Sequence, residues 1–246
     1  MKFENTEVWG FKHALRGMRN PKESWGRSDS DFSDECHRTN DTVSGCESCQ
    51  WFDGFGKECL PFIGPNDMKL ATQLINAGSE HRKFIRQIFV SVDITAPLYW
   101  WKEYDTYKVG TVANSTSTMH KLTSKPITID CFETDDYHPE LPFATTTVGK
   151  IADEFITKLE FLRNTYLSTG DVRYWKELIR WLPESWLQMR TCTLTYENLI
   201  SIRHQRANHK LNEWSGIHTP DTDSFIGWMR SLPYAKEFIF YDEKPA

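Results

Sequence analysis

Apolar residues alternate with polar ones between Ile85 and Ile94, where Ile88, Val90, Val92 and Ile94 occupy every second position. That period and the β-branched content predict a strand, ended by Pro97. Leu98 to Lys108 reads as an aromatic helix, and Gly110 to Thr118 as a Gly/Thr/Ser/Asn loop. Upstream, Pro65-Asn66-Asp67 opens a helix over Met68 to Ala77, with Asn66 or Asp67 as cap and Gly78 as the stop. Beyond a polar connection from Lys121 to Thr147, Ile151, Phe155, Ile156, Leu159, Leu162 and Tyr166 recur at helical spacing. Gly170-Asp171 separates this helix from another through Trp175, Leu178, Ile179 and Leu182, which Pro183 stops. A helix is expected from about Glu184 to Cys192. The last long helix starts near Thr195, with Glu197 and Asn198 in its first turn, and runs to Trp214. Asp223 or Ser224 caps a final helix ending at Leu232-Pro233.

The N-terminal stretch to Trp25 mixes short apolar runs with Arg16, Arg19 and a turn at Asn20-Pro21. From Ser28 to Glu58 the composition shifts to Ser, Asp, Gly and Cys with few aliphatic residues. Residues 28–61 are therefore expected to be a Cys-rich insertion within a single domain spanning 1–246. The fold class is α+β, a small, mostly antiparallel sheet packed by several long helices.

The 246 residues carry a formal net charge of −5, which argues against non-specific nucleic-acid binding because phosphate neutralisation needs a basic surplus. Apolar runs are too short to span a membrane, and the N-terminus lacks a signal peptide's apolar core, so a cytoplasmic protein is expected. The 10 tryptophans favour deep aromatic packing or platforms for a flat ligand.

Six cysteines in a cytosolic chain point to thiols or a metal rather than disulfides. Cys36, Cys46, Cys49 and Cys59 surround one Cys-x-x-Cys knuckle, a spacing that suits tetrahedral zinc, with His37 as a substitute ligand. Gly45, Gly54 and Gly56 would let the loop wrap an ion, and metal binding would order a segment without a core. Free thiols, a redox pair and iron–sulfur ligation are the alternatives. Cys131 and Cys192 read as ordinary buried thiols.

Two further stretches concentrate polar groups among aromatics. Lys108, Thr111, Asn114, Ser115, Thr116, Ser117, Thr118 and His120 combine hydroxyls, an amide and a cation, a set that suits a phosphate or sugar. A Ser/Thr-rich surface loop is the alternative. Arg190 sits among Trp186, Leu187 and Met189, and either grips a ligand or pairs with Glu184 or Glu197. Arg206, His209 and Glu213 are spaced to share one helix face.

The stretch from about Phe62 to Leu122 resembles the flavin-dependent thymidylate synthases. Asn76-Ala77-Gly78-Ser79-Glu80-His81 is similar to that family's turn before a strand, and Ala96-Pro97 to the break before its aromatic helix. Trp100-Trp101-Lys102-Glu103-Tyr104 occupies the aromatic helix. Thr106-Tyr107-Lys108 through Met119-His120 takes the place of the signature Arg-His-Arg-x-x-Ser-x-Asn-x-x-Ser-x-Arg-Tyr. Asn114 and Ser117 match its asparagine and serine. Leu182-Pro183, Arg190, Arg206 and His209-x-x-x-Glu213 follow in the family's order. The chain departs from the pattern where Thr106-Tyr107-Lys108 leaves one cation of the triplet and Met119 replaces an arginine. A lone lysine does not reproduce bidentate guanidinium contacts.

The resemblance implies an enzyme that modifies C5 of a deoxyuridine monophosphate-type nucleotide, with FAD as cofactor, NADPH and methylenetetrahydrofolate as co-substrates, and a homotetramer. It implies catalytic roles for Ser117 and Arg190 and substrate contacts from Glu103, Asn114, Ser115, Ser117, Arg190 and Arg206. His81, Lys108, His120 and His209 are the implied cofactor contacts. The alternative is an inactive nucleotide- or partner-binding protein of the same fold with a structural zinc loop.

Overall fold

The computed structural model describes residues 1–32, 62–217 and 223–243. The first half contains β1 (Lys2–Trp9), α1 (Phe11–Arg19), α2 (Pro65–Asn76), β2 (Phe89–Pro97), α3 (Leu98–Tyr104), β3 (Val112–Ser115) and α4 (Thr118–Lys121). Then come β4 (Pro142–Phe143), β5 (Thr146–Thr147), α5 (Val148–Thr169), α6 (Val172–Arg180) and β6 (Leu187–Thr195). The chain closes with α7 (Tyr196–Arg206), α8 (Asn212–Ser215), α9 (Phe225–Arg230) and α10 (Ala235–Phe238).

Four strands form one antiparallel sheet in the order β1-β2-β6-β3. On β2, alternation buries Val90, Val92, Ile94 and Ala96 on one face. The main core covers that face with α1, α3, α7, α9 and α10, through Leu15, Trp100, Tyr196, Phe225 and Phe238 among others. The opposite face is polar: Asn5 and Thr191 both donate to Asp93, and Ser91 bonds Thr193. A second apolar cluster of Leu122, Ile127, Phe132, Leu159 and Leu178 lies under the α5–α6 hairpin. Gly170, at φ +69°, makes the left-handed turn between these helices.

The α+β architecture with a small antiparallel sheet is as the sequence predicts, but several elements differ. Residues 187–195 form strand β6 rather than a helix. Thr191, Thr193 and Thr195 alternate there, and antiparallel pairing with β2 along its whole length outweighs the short apolar run that suggests a helix. The expected Ser/Thr loop contains edge strand β3, whose exposed residues carry no hydrophobic alternation and whose conformation comes from pairing with β6. The strand expected from Ile85 starts at Phe89, after a 3-10 turn at Lys83–Gln87. Helix α3 stops at Tyr104, not Lys108.

The expected long helix to Trp214 ends at Arg206 and resumes as α8. No glycine or proline marks this break. Trp214 turns inward to stack on Trp100 at 4.4 Å, and the Leu211 N–H donates to His209 Nδ1 at 3.2 Å. Asp67 does not cap α2; instead Asp29 accepts from the N–H groups of Asn66 and Asp67, and Gly64 holds the cap position. The frees Asp67 carboxylate is buried and takes bonds from Arg19, Ser28 and Ser30. Cys36, Cys46, Cys49 and Cys59 lie outside the described residues; among the described residues, no group of three or more His, Cys, Asp or Glu is placed to hold a metal. No helix among the described residues is long and apolar enough to cross a membrane.

Candidate functional site

Helix α3 organises the polar groups of interest. Trp100, Trp101 and Tyr104 are buried on its inner side. Their sequence spacing leaves two flanks, one bearing Trp101 and Asp105 and the other Tyr99 and Glu103. Each flank receives one arginine.

On the first flank, the Arg190 guanidinium lies over the Trp101 ring at 4.3 Å, donates to Asp105 at 2.8 Å and takes Gln188 as a further acceptor at 3.0 Å. Its partner is thus Asp105, not Glu184 or Glu197. Strand β3 pairs Ser115 with Arg190 and Asn114 with Thr191. Cross-strand partners share a face, so Ser115 lies on the Arg190 side while Asn114 turns toward the polar face near Asp93. The next turn is fixed by Thr116, whose N–H and hydroxyl both donate to the Met189 carbonyl, and by Gln188, which donates to the Thr116 carbonyl. Ser117 accepts from the His120 N–H at 3.1 Å and so caps α4. No base side chain contacts its hydroxyl among the described residues. His120 and Met119 are exposed.

On the second flank, Arg206 donates to Glu103 at 2.6 Å and to the Tyr107 hydroxyl at 2.8 Å, with its guanidinium 4.9 Å from the Trp214 ring centre. His209 Nε2 is 3.5 Å from the same Glu103 oxygen. Because His209 Nδ1 accepts from Leu211, the proton is assigned to Nε2, which faces the carboxylate. Glu103, Arg206 and His209 therefore converge, although His209 stands in the turn after α7 rather than on a shared helix. One helical turn back, Tyr99 donates to Glu213 and, at 3.3 Å, to Glu133. Burial, then the nearby charge of Glu213, raises the Glu133 carboxyl above the ordinary glutamate range. Glu133 and Tyr99 were missed by sequence reasoning; the only available signal was that Tyr99 and Glu103 are four apart.

Next to this second cluster is a cavity of about 670 Å³, lined by Arg86, Thr106, Tyr107, Lys108, Val109, Gly110, Glu197, Asn198 and Ser201 among others. Its size falls in the range of small-molecule sites. Tyr107 belongs both to this cavity and to the Arg206 contact set. Thr195 and Asn198 form a capping box at the start of α7, and Asn198 also donates to the Val109 carbonyl at 2.8 Å, tying the 106–110 loop to that helix. Glu197 is neutralised by a forked contact from Arg82, at 2.9 and 3.0 Å. His81 is exposed beside Arg82 and does not line the cavity.

Within one chain, then, Lys108 joins the cavity, Tyr107 connects it to Glu103, Arg206 and His209, and the Arg190–Ser115 pair lies across α3. His81, Asn114 and His120 stand apart from both groups.

The whole architecture has solved counterparts. A flavin-dependent thymidylate synthase from Helicobacter pylori, solved in complex with FAD and dUMP, superposes with a TM-score of 0.61 at 15% identity, covering 98% of this chain and 99% of that one. The chain has the flavin-dependent thymidylate synthase fold. A second structure from the same organism with the same ligands, at 2.31 Å resolution, gives a TM-score of 0.60 at 15% identity and 98% coverage of each chain. No protein-family model matches the sequence, and no curated protein does. The resemblance carried by Ala96-Pro97, the aromatic helix and the Leu182-Pro183 turn thus extends to the complete topology, while side-chain identity has largely diverged.

Proposed function

We propose that this chain is a divergent flavin-dependent thymidylate synthase-like protein. In this reading it binds FAD and a pyrimidine deoxynucleotide of the deoxyuridine monophosphate type and modifies the pyrimidine at C5. The observation that carries the reading is the adjacency, through Tyr107, of a ligand-sized cavity and the Glu103–Arg206–His209 cluster, within a fold whose solved counterparts hold FAD and dUMP.

The chemistry of the lining fits the cofactor in charge. Lys108 has no carboxylate partner among the described residues, and Arg86 donates only to the Ser79 carbonyl, at 3.3 Å. A bound flavin would supply hydride for the reduction that accompanies one-carbon transfer. The chain's own groups orient and neutralise. Lys108 holds negative charge at the cavity, and Glu103 fixes the Arg206 fork and the His209 tautomer. Arg206 retains donors for a phosphate or a pyrimidine carbonyl. The phenol of Tyr107, already accepting from Arg206 and donating to Gln205 at 3.1 Å, sets the boundary between the two ligands. Methylenetetrahydrofolate and NADPH complete the reaction in this reading.

One observation favours a second reading, a binding protein without the flavin reaction. Arg190, the arginine implied in catalysis, is already engaged by Asp105, Gln188 and Trp101, and the triplet Thr106-Tyr107-Lys108 keeps one cation. Anaerobic addition of NADPH to protein loaded with FAD separates the two: bleaching of flavin absorbance supports the enzyme. FAD uptake without bleaching supports the binding protein. The reading also includes a homo-oligomer, supported by Phe161, Leu167 and Trp181, which stay more than half exposed on the α5–α6 hairpin.

Calorimetric titration with dUMP tests the nucleotide half. Saturable binding that falls roughly tenfold or more in Arg206→Ala is expected. Equal affinity in the two proteins would contradict the assignment.

A further inference from the structure

The cavity beside Tyr107 holds more positive charge than the sequence pattern around Lys108 accounts for. Arg86 reaches it from the 3-10 turn at Lys83–Gln87, a segment outside the signature stretch. Glu197 is its one lining carboxylate among the described residues, and Arg82 pairs with it. The cavity therefore presents two uncompensated cations, Arg86 and Lys108. A third set of donors belongs to residues that line the same cavity. The N–H groups of Lys108, Val109 and Gly110 find no hydrogen-bond acceptor among the described residues. Gly110 has φ +77°, and the loop is pinned to α7 through Asn198 and the Val109 carbonyl. Consecutive N–H groups without a protein acceptor, on a loop pinned in place, are available to an anion. The Ser201 hydroxyl lines the same space.

We infer that Arg86, Lys108 and the 108–110 backbone hold a diphosphate, the linkage at the middle of a dinucleotide cofactor, with Arg86 supplying a guanidinium that the 106–108 triplet lacks. This rests on the FAD reading above and assigns Arg86 a role that its sequence context does not suggest. Arg86 is exposed and, among the described residues, bonds only the Ser79 carbonyl, so its replacement leaves the fold intact. A planar guanidinium takes two phosphate oxygens at once, whereas Lys108 acts as a point charge, so both contribute but Arg86 alone adds orientation.

Flavin-fluorescence titration tests the assignment in wild type, Arg86→Gln and Lys108→Gln, each checked for an unchanged thermal midpoint. FAD, riboflavin and inorganic diphosphate serve as the probes, with diphosphate followed by calorimetry. The expected result is FAD affinity lower by roughly tenfold in each variant, with riboflavin binding equal in all three and dUMP affinity unchanged in Arg86→Gln. FAD affinity equal in all three proteins would overturn the diphosphate site while leaving the cofactor reading intact. If wild type takes up no FAD but binds diphosphate in an Arg86-dependent way, the cofactor reading fails and the anion site stands. Absence of both kinds of binding overturns both.

Discussion

Glu103 is the residue on which the second flank of α3 depends. Its carboxylate answers Arg206 and His209 together, so Glu103→Gln leaves a largely buried guanidinium with a weaker acceptor. The expected cost is about 1.5–3 kcal/mol in urea unfolding, the range for a hydrogen bond to a charged group. A loss no larger than that of an exposed control such as Glu184→Gln would contradict this role. Asp67 gives the chain a specific acid sensitivity. Burial works to raise its pKa, but bonds from Ser28, Ser30 and Arg19, with the Arg19 charge, hold it below the ordinary aspartate value. With a depressed folded-state pKa, the unfolded chain takes the proton first. The stability contributed by Asp67 is therefore complete above about pH 4 and is lost as pH falls through the lowered value. Asp67→Asn should flatten the stability profile below about pH 4, measured as urea midpoint against pH; an unchanged acid limb would show that another carboxylate governs it. Glu103, Arg206 and His209 were all legible as candidates because their chemistry stands out among aromatics. Spacing also groups Arg206 with His209, but their meeting with Glu103 was not legible, since it depends on a helix break at Ala207 that no glycine or proline announces.

At the scale of elements, the strongest periodicities survived and the weakest did not. β2 was legible because Val90, Val92 and Ile94 are both alternating and buried, and α5 because its apolar residues recur through six turns. β3 has neither property, being exposed along its length with no apolar alternation, and only its hydrogen bonds to β6 make it a strand. That difference matters chemically, because a strand sends Asn114 and Ser115 to opposite faces where a loop could have gathered them. The capping box at the start of α7 anchors the loop that closes the cavity. Thr195→Ala should cost about 1 kcal/mol and release Asn198 from its bond geometry. Backbone order parameters at Val109 and Gly110 should fall in that variant; unchanged order there would mean the loop is held by other contacts.

For the molecule as a whole, the backbone topology matches that of solved counterparts to which only 15% of the sequence is identical. The sequence resemblance rested on order and spacing, features of the fold, and the superposition over 98% of the chain follows from them. Side-chain roles do not follow in the same way, because at 15% identity each must be rebuilt from its own contacts. Arg190 faces Asp105, Lys108 faces open space, and Arg86 enters from a segment with no part in the motif. The α5–α6 hairpin leaves Phe161 and Trp181 mostly exposed, at 64% and 57%. Sedimentation should find an assembly that Phe161→Glu with Trp181→Glu dissociates, and a monomeric wild type would remove the need for a second copy. In the proposed reading one ligand fills the cavity at Arg86 and Lys108 while another meets Arg206, the two divided by Tyr107. A crystal structure of the protein grown with FAD and dUMP tests it most directly. The expected result is flavin density with its diphosphate at the 108–110 loop and the nucleotide within hydrogen-bond distance of Arg206. Density for either ligand on a different surface, with the cavity and Arg206 left to solvent, would contradict it.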